Sequence, residues 1–188
     1  GALGEHKGVQ VLLDAYRRLR DIRTRTGRAT PTLLLVGPRH DAMPAVEAAK
    51  TAVDDEQCIV VRHDVDHDDV MRTMARATAL VVPSLWPEPF GLVAAEALTV
   101  GTPVIASAIG GLRALLSDGE YGLLVTPGDV DAFVAALDRI LDDPQLRHEL
   151  GTKGRERAQE LDATAAFEQC YDELLTGTGG GHSAPPTG

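Results

Sequence analysis

Cysteine is scarce in this chain. Only two occur, Cys58 inside a strand-like run and Cys170 in a late helical one, which excludes the disulfide framework of a small secreted protein and makes a reducing, cytoplasmic setting the expectation. Long apolar runs are missing as well. None approaches the roughly 20 residues needed to span a bilayer, and no signal peptide is found at the start of the sequence; peripheral membrane association is expected only through another part of a longer protein. Positive charge is in short supply. The net charge is -10 with no basic stripe, which argues against nucleic acid or anionic lipid as the main partner and favours a small molecule. No internal repeat is found.

What remains is an ordinary globular composition. The 188 residues, 44% of them hydrophobic, suit one domain with a core large enough to fold. Short apolar runs alternate with longer amphipathic ones, the pattern of β-α units around a parallel sheet. Strands are expected at Thr32–Val36, Cys58–Val61, Ala79–Val82, Pro103–Ala106 and Gly122–Val125, because these runs are rich in Leu, Val and Ile and lack alternation, as strands covered on both faces do. Helices fit between them at Val9–Thr26, Ala42–Val53, Asp68–Ala77, Leu92–Val100 and Leu112–Leu116, the first showing the stripe Val11, Leu12, Ala15, Tyr16 and Leu19. After Pro127 the strands stop, and Asp129–Leu141, Pro144–Glu160 and Ala163–Leu175 read as three consecutive helices. The fold class is α/β over residues 1–175, ending all α. From Thr176 the chain is Gly, Ser, Thr and Pro with few apolar side chains, so residues 176–188 are expected to be a disordered tail.

The chemistry concentrates in "PSLWPEPFGLVAAEALTVGTPVIAS", Pro83 to Ser107. At Phe90-Gly91-Leu92 a loop enters a helix whose first N–H groups lack internal partners and carry the positive end of the helix dipole, which suits an anion. Gly91 has no Cβ to keep a ligand from the backbone. One turn further on, Glu96 interrupts a helix otherwise made of Leu92, Val93, Ala94, Ala95, Ala97 and Leu98. A carboxylate buried there without partners would be costly, and sugar hydroxyls could serve as the partners, as they do for the acidic residue of dinucleotide folds; the alternative is that Glu96 lies on the exposed side of the helix. Glu88, between Pro87 and Pro89, belongs to the loop. The run "RHDVDHDD", Arg62 to Asp69, offers His63, Asp64, Asp66 and His67 as conceivable metal ligands. Capping by Asp66 and the helix dipole explain it more simply, and no metal is expected. Trp86 either lines a ligand pocket or packs beneath the loop, the second being preferred.

In their order along the chain, these blocks resemble retaining glycosyltransferases of the large family four, which have two Rossmann-like domains in the arrangement called GT-B. The resemblance rests on Glu88 and Glu96 in E-x-x-x-x-x-x-x-E spacing around Phe90-Gly91-Leu92, on "GTPVIAS" at Gly101–Ser107, "IGGL" at Ile109–Leu112 and "DGEYGLLVTPGD" at Asp118–Asp129. Upstream, "GALGEHKGVQVLLDAY" is similar to the family's G-R-L…K-G segment and "TLLLVG" at Thr32–Gly37 to its second strand. It covers about Gly1 to Leu175 and implies the C-terminal, donor-binding half of a GT-B fold: a three-layer parallel sheet with a nucleotide-diphosphate sugar at the carboxyl ends of its strands. The topological switch point of a doubly wound sheet leads to the same crevice. By the resemblance, Lys7 neutralises the diphosphate, the backbone at Phe90, Gly91 and Leu92 binds it, and Glu96 holds the ribose hydroxyls. Glu88 is then the catalytic residue at the transferred sugar, and the loop of His63 and Asp64 faces the nucleobase. The nucleotide sugar is a substrate, so no cofactor is implied, and the acceptor is expected to bind the protein's own N-terminal domain.

The chain departs from that pattern at Ala2, where the family usually carries an Arg that pairs with the diphosphate; Gly1-Ala2 reads as a cloning remnant at a domain boundary. The family's first strand would precede this segment and lie centrally in the sheet, so the sequence is read as a piece of a longer protein. Ala114 stands where a Glu is common. Two other functions share the fold. A sugar-nucleotide epimerase would need a catalytic acid and base that cannot be assigned here, and a non-catalytic nucleotide-binding module suits the missing Arg but not the intact pair of Glu residues.

Overall fold

The structure, a computed structural model, describes residues 4–38, 43–52 and 58–161. Five short strands alternate with helices: α1 (Val9–Arg25), β1 (Leu33–Val36), α2 (Met43–Ala52), β2 (Ile59–Arg62), α3 (His67–Arg76), β3 (Leu80–Val82), α4 (Leu92–Val100), β4 (Val104–Ser107), α5 (Gly110–Leu115), β5 (Leu123–Val125), α6 (Val130–Asp142) and α7 (Pro144–Glu160). Every strand and helix expected within the described residues is present, with ends shifted by one or two positions. The predicted helix Ala163–Leu175 and the tail lie outside the described residues, as does Ala2.

All strand pairs are parallel. β1 pairs with β2 from Leu33–Ile59 to Val36–Arg62, and β4 pairs with β3 on one side and β5 on the other. The described strands therefore hydrogen-bond as two groups, β1-β2 and β3-β4-β5, where the strand pattern alone suggested one sheet. Helix α1 holds the two groups together. Its Leu12, Leu13 and Tyr16 are buried with Leu35, Val46 and Ile59 of the first group and its helix, while Ala15 and Leu19 are buried with Ile105, Val125, Phe133 and Ile140 of the second. The opposite face of β3-β4-β5 is covered by α3, α4 and α5, through Met74, Ala94, Leu98, Leu112 and Leu115.

The end of α1 is fixed by a charged cluster. Arg23, 6% exposed, donates through Nε to the Ala29 carbonyl at 2.6 Å and through its other nitrogens to Asp138 at 2.7 Å and Asp142 at 2.9 Å. Arg28 also bonds both carboxylates. The hydrogen bond from Arg23 is the main cause holding the Asp142 carboxyl below its ordinary value. A carboxylate depressed in the folded state contributes stability above the ordinary value of about 4 and loses it as pH falls further. Arg23→Gln should therefore lower the melting temperature most at pH 6 to 7, and thermal scans should show the gap to the parent closing below about pH 4.

Candidate active site

The carboxyl ends of the strands carry the residues singled out above. Lys7 ends a short 3-10 turn, Glu5–Lys7, and Gly8, with a left-handed φ of 71°, turns the chain from it into α1. The same glycine lies so close to the Pro83 carbonyl that a Cβ there would collide with it. The Leu85 N–H donates to the His6 carbonyl at 2.9 Å. Two backbone appositions thus press the Lys7 turn against the loop that leaves β3.

Across this seam Lys7 Nζ donates to Glu88 Oε1 at 2.6 Å, and the Ser84 hydroxyl donates to the same oxygen at 2.6 Å. The Glu88 side chain is 17% exposed and that of Lys7 is 35% exposed, while Ser84 is buried at 1%. Burial, the largest single influence, pushes the Glu88 carboxyl up, but the hydrogen bonds from Lys7 and Ser84 and the charges of Lys7 and His6 outweigh it and hold the carboxyl below its ordinary value. Glu88 is therefore ionised at neutral pH. From the other side the loop is gripped by the start of α5: the Gly111 N–H donates to the Glu88 carbonyl at 2.7 Å, and a Cβ on Gly110 would sit 2.6 Å from that oxygen. Ser84 and the Gly110-Gly111 pair are the residues against Glu88 that reasoning from pattern missed as such. The signal was present in "IGGL", where two adjacent glycines mark a close backbone approach.

The helix that follows begins as expected. Gly91 is the N-cap of α4 with φ 82°, and no side chain caps the first turn. The reason for a glycine is different from the one inferred from sequence: its Cβ would lie 2.7 Å from Leu112 Cδ2, so backbone conformation and packing on α5, more than ligand approach, require it. Phe90 is half-buried and Leu92 is exposed. Glu96 is neither buried nor fully exposed, its side chain 36% accessible, with His67 Nδ1 of α3 at 3.9 Å. Trp86 is 70% exposed, which corrects the expectation that it packs beneath the loop. With Leu85 and Leu92 it forms an apolar fringe on the loop and the first turn of α4.

His63 lies at the carboxyl end of the β1-β2 pair, its Nδ1 2.7 Å from the Gly37 carbonyl; Asp64 next to it takes a left-handed φ of 53°. Asp66 caps α3, accepting from the Asp69 N–H at 2.9 Å, so the helix accounts for that carboxylate. Among the described residues no three His, Cys, Asp or Glu side chains converge on a metal-sized position, and no helix is long and apolar enough to cross a membrane. A wide cleft of about 570 Å³ opens at the opposite, amino ends of the strands, beside Pro31, Thr78 and Pro103. Its lining includes Arg23 and Ala29 of the α1 cluster and none of Lys7, Ser84, Glu88, Gly91 or Glu96.

A parallel α/β scaffold with a charged pair and an uncapped helix start at its strand ends defines a Rossmann-like domain. Residues 1–157 match the family of glycosyl transferases group 1, and the chain belongs to that family. It is 36% identical over 156 residues to the MMP alpha-(1->4)-mannosyltransferase of Mycolicibacterium hassiacum, covering 82% of this chain and 36% of that protein. It is also 36% identical over 157 residues to the glycogen synthase of Mycobacterium tuberculosis strain H37Rv, covering 84% of this chain and 36% of that protein. Among solved structures, sucrose-phosphate synthase from Thermosynechococcus elongatus superposes with a TM-score of 0.73 at 33% identity, over 94% of this chain and 45% of that one. Anabaena HepE in complex with UDP and glucose gives 0.78 at 25% identity, over 94% and 47%. The chain spans about a third of the length of these curated relatives. The fold is thus that of one Rossmann-like half of GT-B glycosyltransferases.

Lys7→Met removes one of the two donors to Glu88 and leaves the burial in place, so the Glu88 carboxyl should titrate at a higher pH than in the parent. Carbon-13 NMR of the labelled carboxyl measures this, and an unchanged titration would show that the pair does not form in solution.

Proposed function

We propose that this chain is the donor-binding half of a retaining glycosyltransferase, which moves a sugar from a nucleoside diphosphate sugar to an acceptor hydroxyl. The reading is carried by one observation in a member of this family: the Lys7–Glu88 pair, held at 2.6 Å where the turn before α1 meets the loop entering α4. Bond breaking makes the sugar cation-like while the diphosphate departs with growing negative charge. A fixed carboxylate beside fixed positive groups matches both developing charges, and such preorganisation lowers the barrier. Glu88 takes the sugar side. Lys7 and the uncapped N–H groups of α4 at Leu92, next to Phe90 and Gly91, take the diphosphate.

Glu96, half-exposed on α4, is assigned to the ribose hydroxyls, which would complete the hydrogen bonds of its carboxylate. The His63–Asp64 segment at the end of β2 is assigned to the nucleobase. The apolar fringe of Leu85, Trp86 and Leu92 suits the covered wall of a cleft, and an N-terminal acceptor domain in the whole protein is the partner proposed to close it. HepE, a structural neighbour, has been seen with UDP and glucose, which supports a nucleotide sugar as the ligand class here. With Lys7 and a helix N-terminus facing the leaving group, no divalent ion or other cofactor is required by this scheme.

In the full-length protein, Glu96→Ala should weaken binding of the matching nucleoside diphosphate about 10- to 100-fold, the range for hydrogen bonds to a charged group. Glu88→Gln should leave that affinity in place and lower kcat by about 100-fold or more. Calorimetry and initial rates separate the two roles, and equal affinity for Glu96→Ala and parent would remove Glu96 from the ribose. Excess EDTA should leave turnover intact; loss restored by Mg²⁺ or Mn²⁺ would bring the Asp64-x-Asp66 run back as a metal site.

A further inference from the structure

We infer that Ser84 is a positioning residue, which keeps the Glu88 carboxylate in place and charged when Lys7 turns from it to the diphosphate of an incoming donor. The inference rests on the donor-site reading above and goes beyond it, because that reading gives Lys7 two partners and leaves open what holds Glu88 once the second arrives. In the free protein both Lys7 Nζ and Ser84 Oγ donate to Glu88 Oε1. Lys7 is on a flexible, partly exposed side chain able to follow a ligand. Ser84 is not. It is 1% exposed, and its backbone is clamped on both sides, by the Pro83 carbonyl against Gly8 and by the Leu85 N–H on the His6 carbonyl.

A largely buried carboxylate that loses its cation is driven towards its neutral form. The groups facing Glu88 are Lys7 and His6 from the turn before α1 and Ser84 from its own loop; the start of α5 contributes the backbone N–H of Gly111, which bonds the Glu88 carbonyl and not its carboxylate. Ser84 is thus the donor that stays at Oε1 as Lys7 swings to the phosphates. It also fixes which oxygen is occupied, so the other edge of the carboxylate is presented in one orientation to the sugar.

The test uses the full-length protein with its nucleotide sugar. Ser84→Ala should lower kcat about 10- to 100-fold, the range for a lost hydrogen bond to a charged group, with the donor KM and the affinity for UDP, GDP or ADP little changed. The acid limb of the kcat profile should move to higher pH, and Ser84→Thr should restore most of the rate. An Ala variant with parental circular dichroism, kcat and acid limb would overturn the inference. A second measurement needs no substitution: in the unsubstituted protein saturated with the nucleoside diphosphate that it binds, carbon-13 NMR should show Glu88 still ionised at pH 6 to 7. A carboxyl that becomes protonated there on nucleotide binding would also overturn it. If the unsubstituted protein transfers no sugar and binds no nucleotide, the donor-site reading fails and takes this inference with it; intact transfer with an indifferent Ser84 refutes the inference alone.

Discussion

Helix α1 is the constraint on which the remaining architecture depends. The strands described here hydrogen-bond in two separate groups, so backbone pairing alone does not fix one group against the other. The apolar face of α1 does so, by sharing its two flanks between Leu35 and Ile59 on one side and Ile105, Val125 and Phe133 on the other. Tyr16 adds a polar anchor from the same face. Its hydroxyl lies 2.8 Å from the Pro31 carbonyl and 2.9 Å from that of Cys58, and burial, together with the neighbouring Cys58, pushes the phenol up to about 12. Because Lys7 sits at the amino end of this helix and Arg23 near its carboxyl end, one rigid rod sets the position of the site and is itself held at the far end by α6.

Much of this was legible in the chain. Leu33, Ile59, Val82, Ile105 and Val125 lie in runs too apolar and too short for anything but covered strands, and Asp66, Asp129 and Asp143 each cap the helix they precede. Local chemistry writes such features directly into sequence. What escaped were relations between distant segments. That Gly91 faces Leu112, that Gly8 abuts Pro83, and that Trp86 points outward depend on how loops meet, for which no periodicity exists. Ser84 was passed over for the same reason: a lone serine after a strand has no signature until the carboxylate four residues later folds back onto it. Lys7 and Glu88 were placed in one site through family resemblance, and the ion pair between them is a product of the fold.

The electrostatic setting sharpens the role of that pair. The chain carries a net charge of -10, a background that repels anionic ligands in general. In the proposed donor site, one ammonium and the uncapped start of α4 would have to overcome this field at short range. The pairing of Lys7 with Glu88 keeps the free site close to neutral, which avoids burying an isolated charge in the absence of ligand.

The ion pair at the site joins residues 81 positions apart, and the cluster that anchors the far end of α1 ties Arg23 to Asp138 across 115 positions and to Asp142 beyond it. Contacts of such sequence separation close late, because loop entropy must be spent before they form. The proposed donor site is not assembled in a chain that has made only its local helices and neighbouring strand pairs. Any molecule bound across the seam between the Lys7 turn and the Glu88 loop would consequently recognise the completed fold and stabilise the whole domain by mass action. The same geometry would make binding across that seam a kinetic marker for the final step of folding, separable in time from the appearance of helical structure.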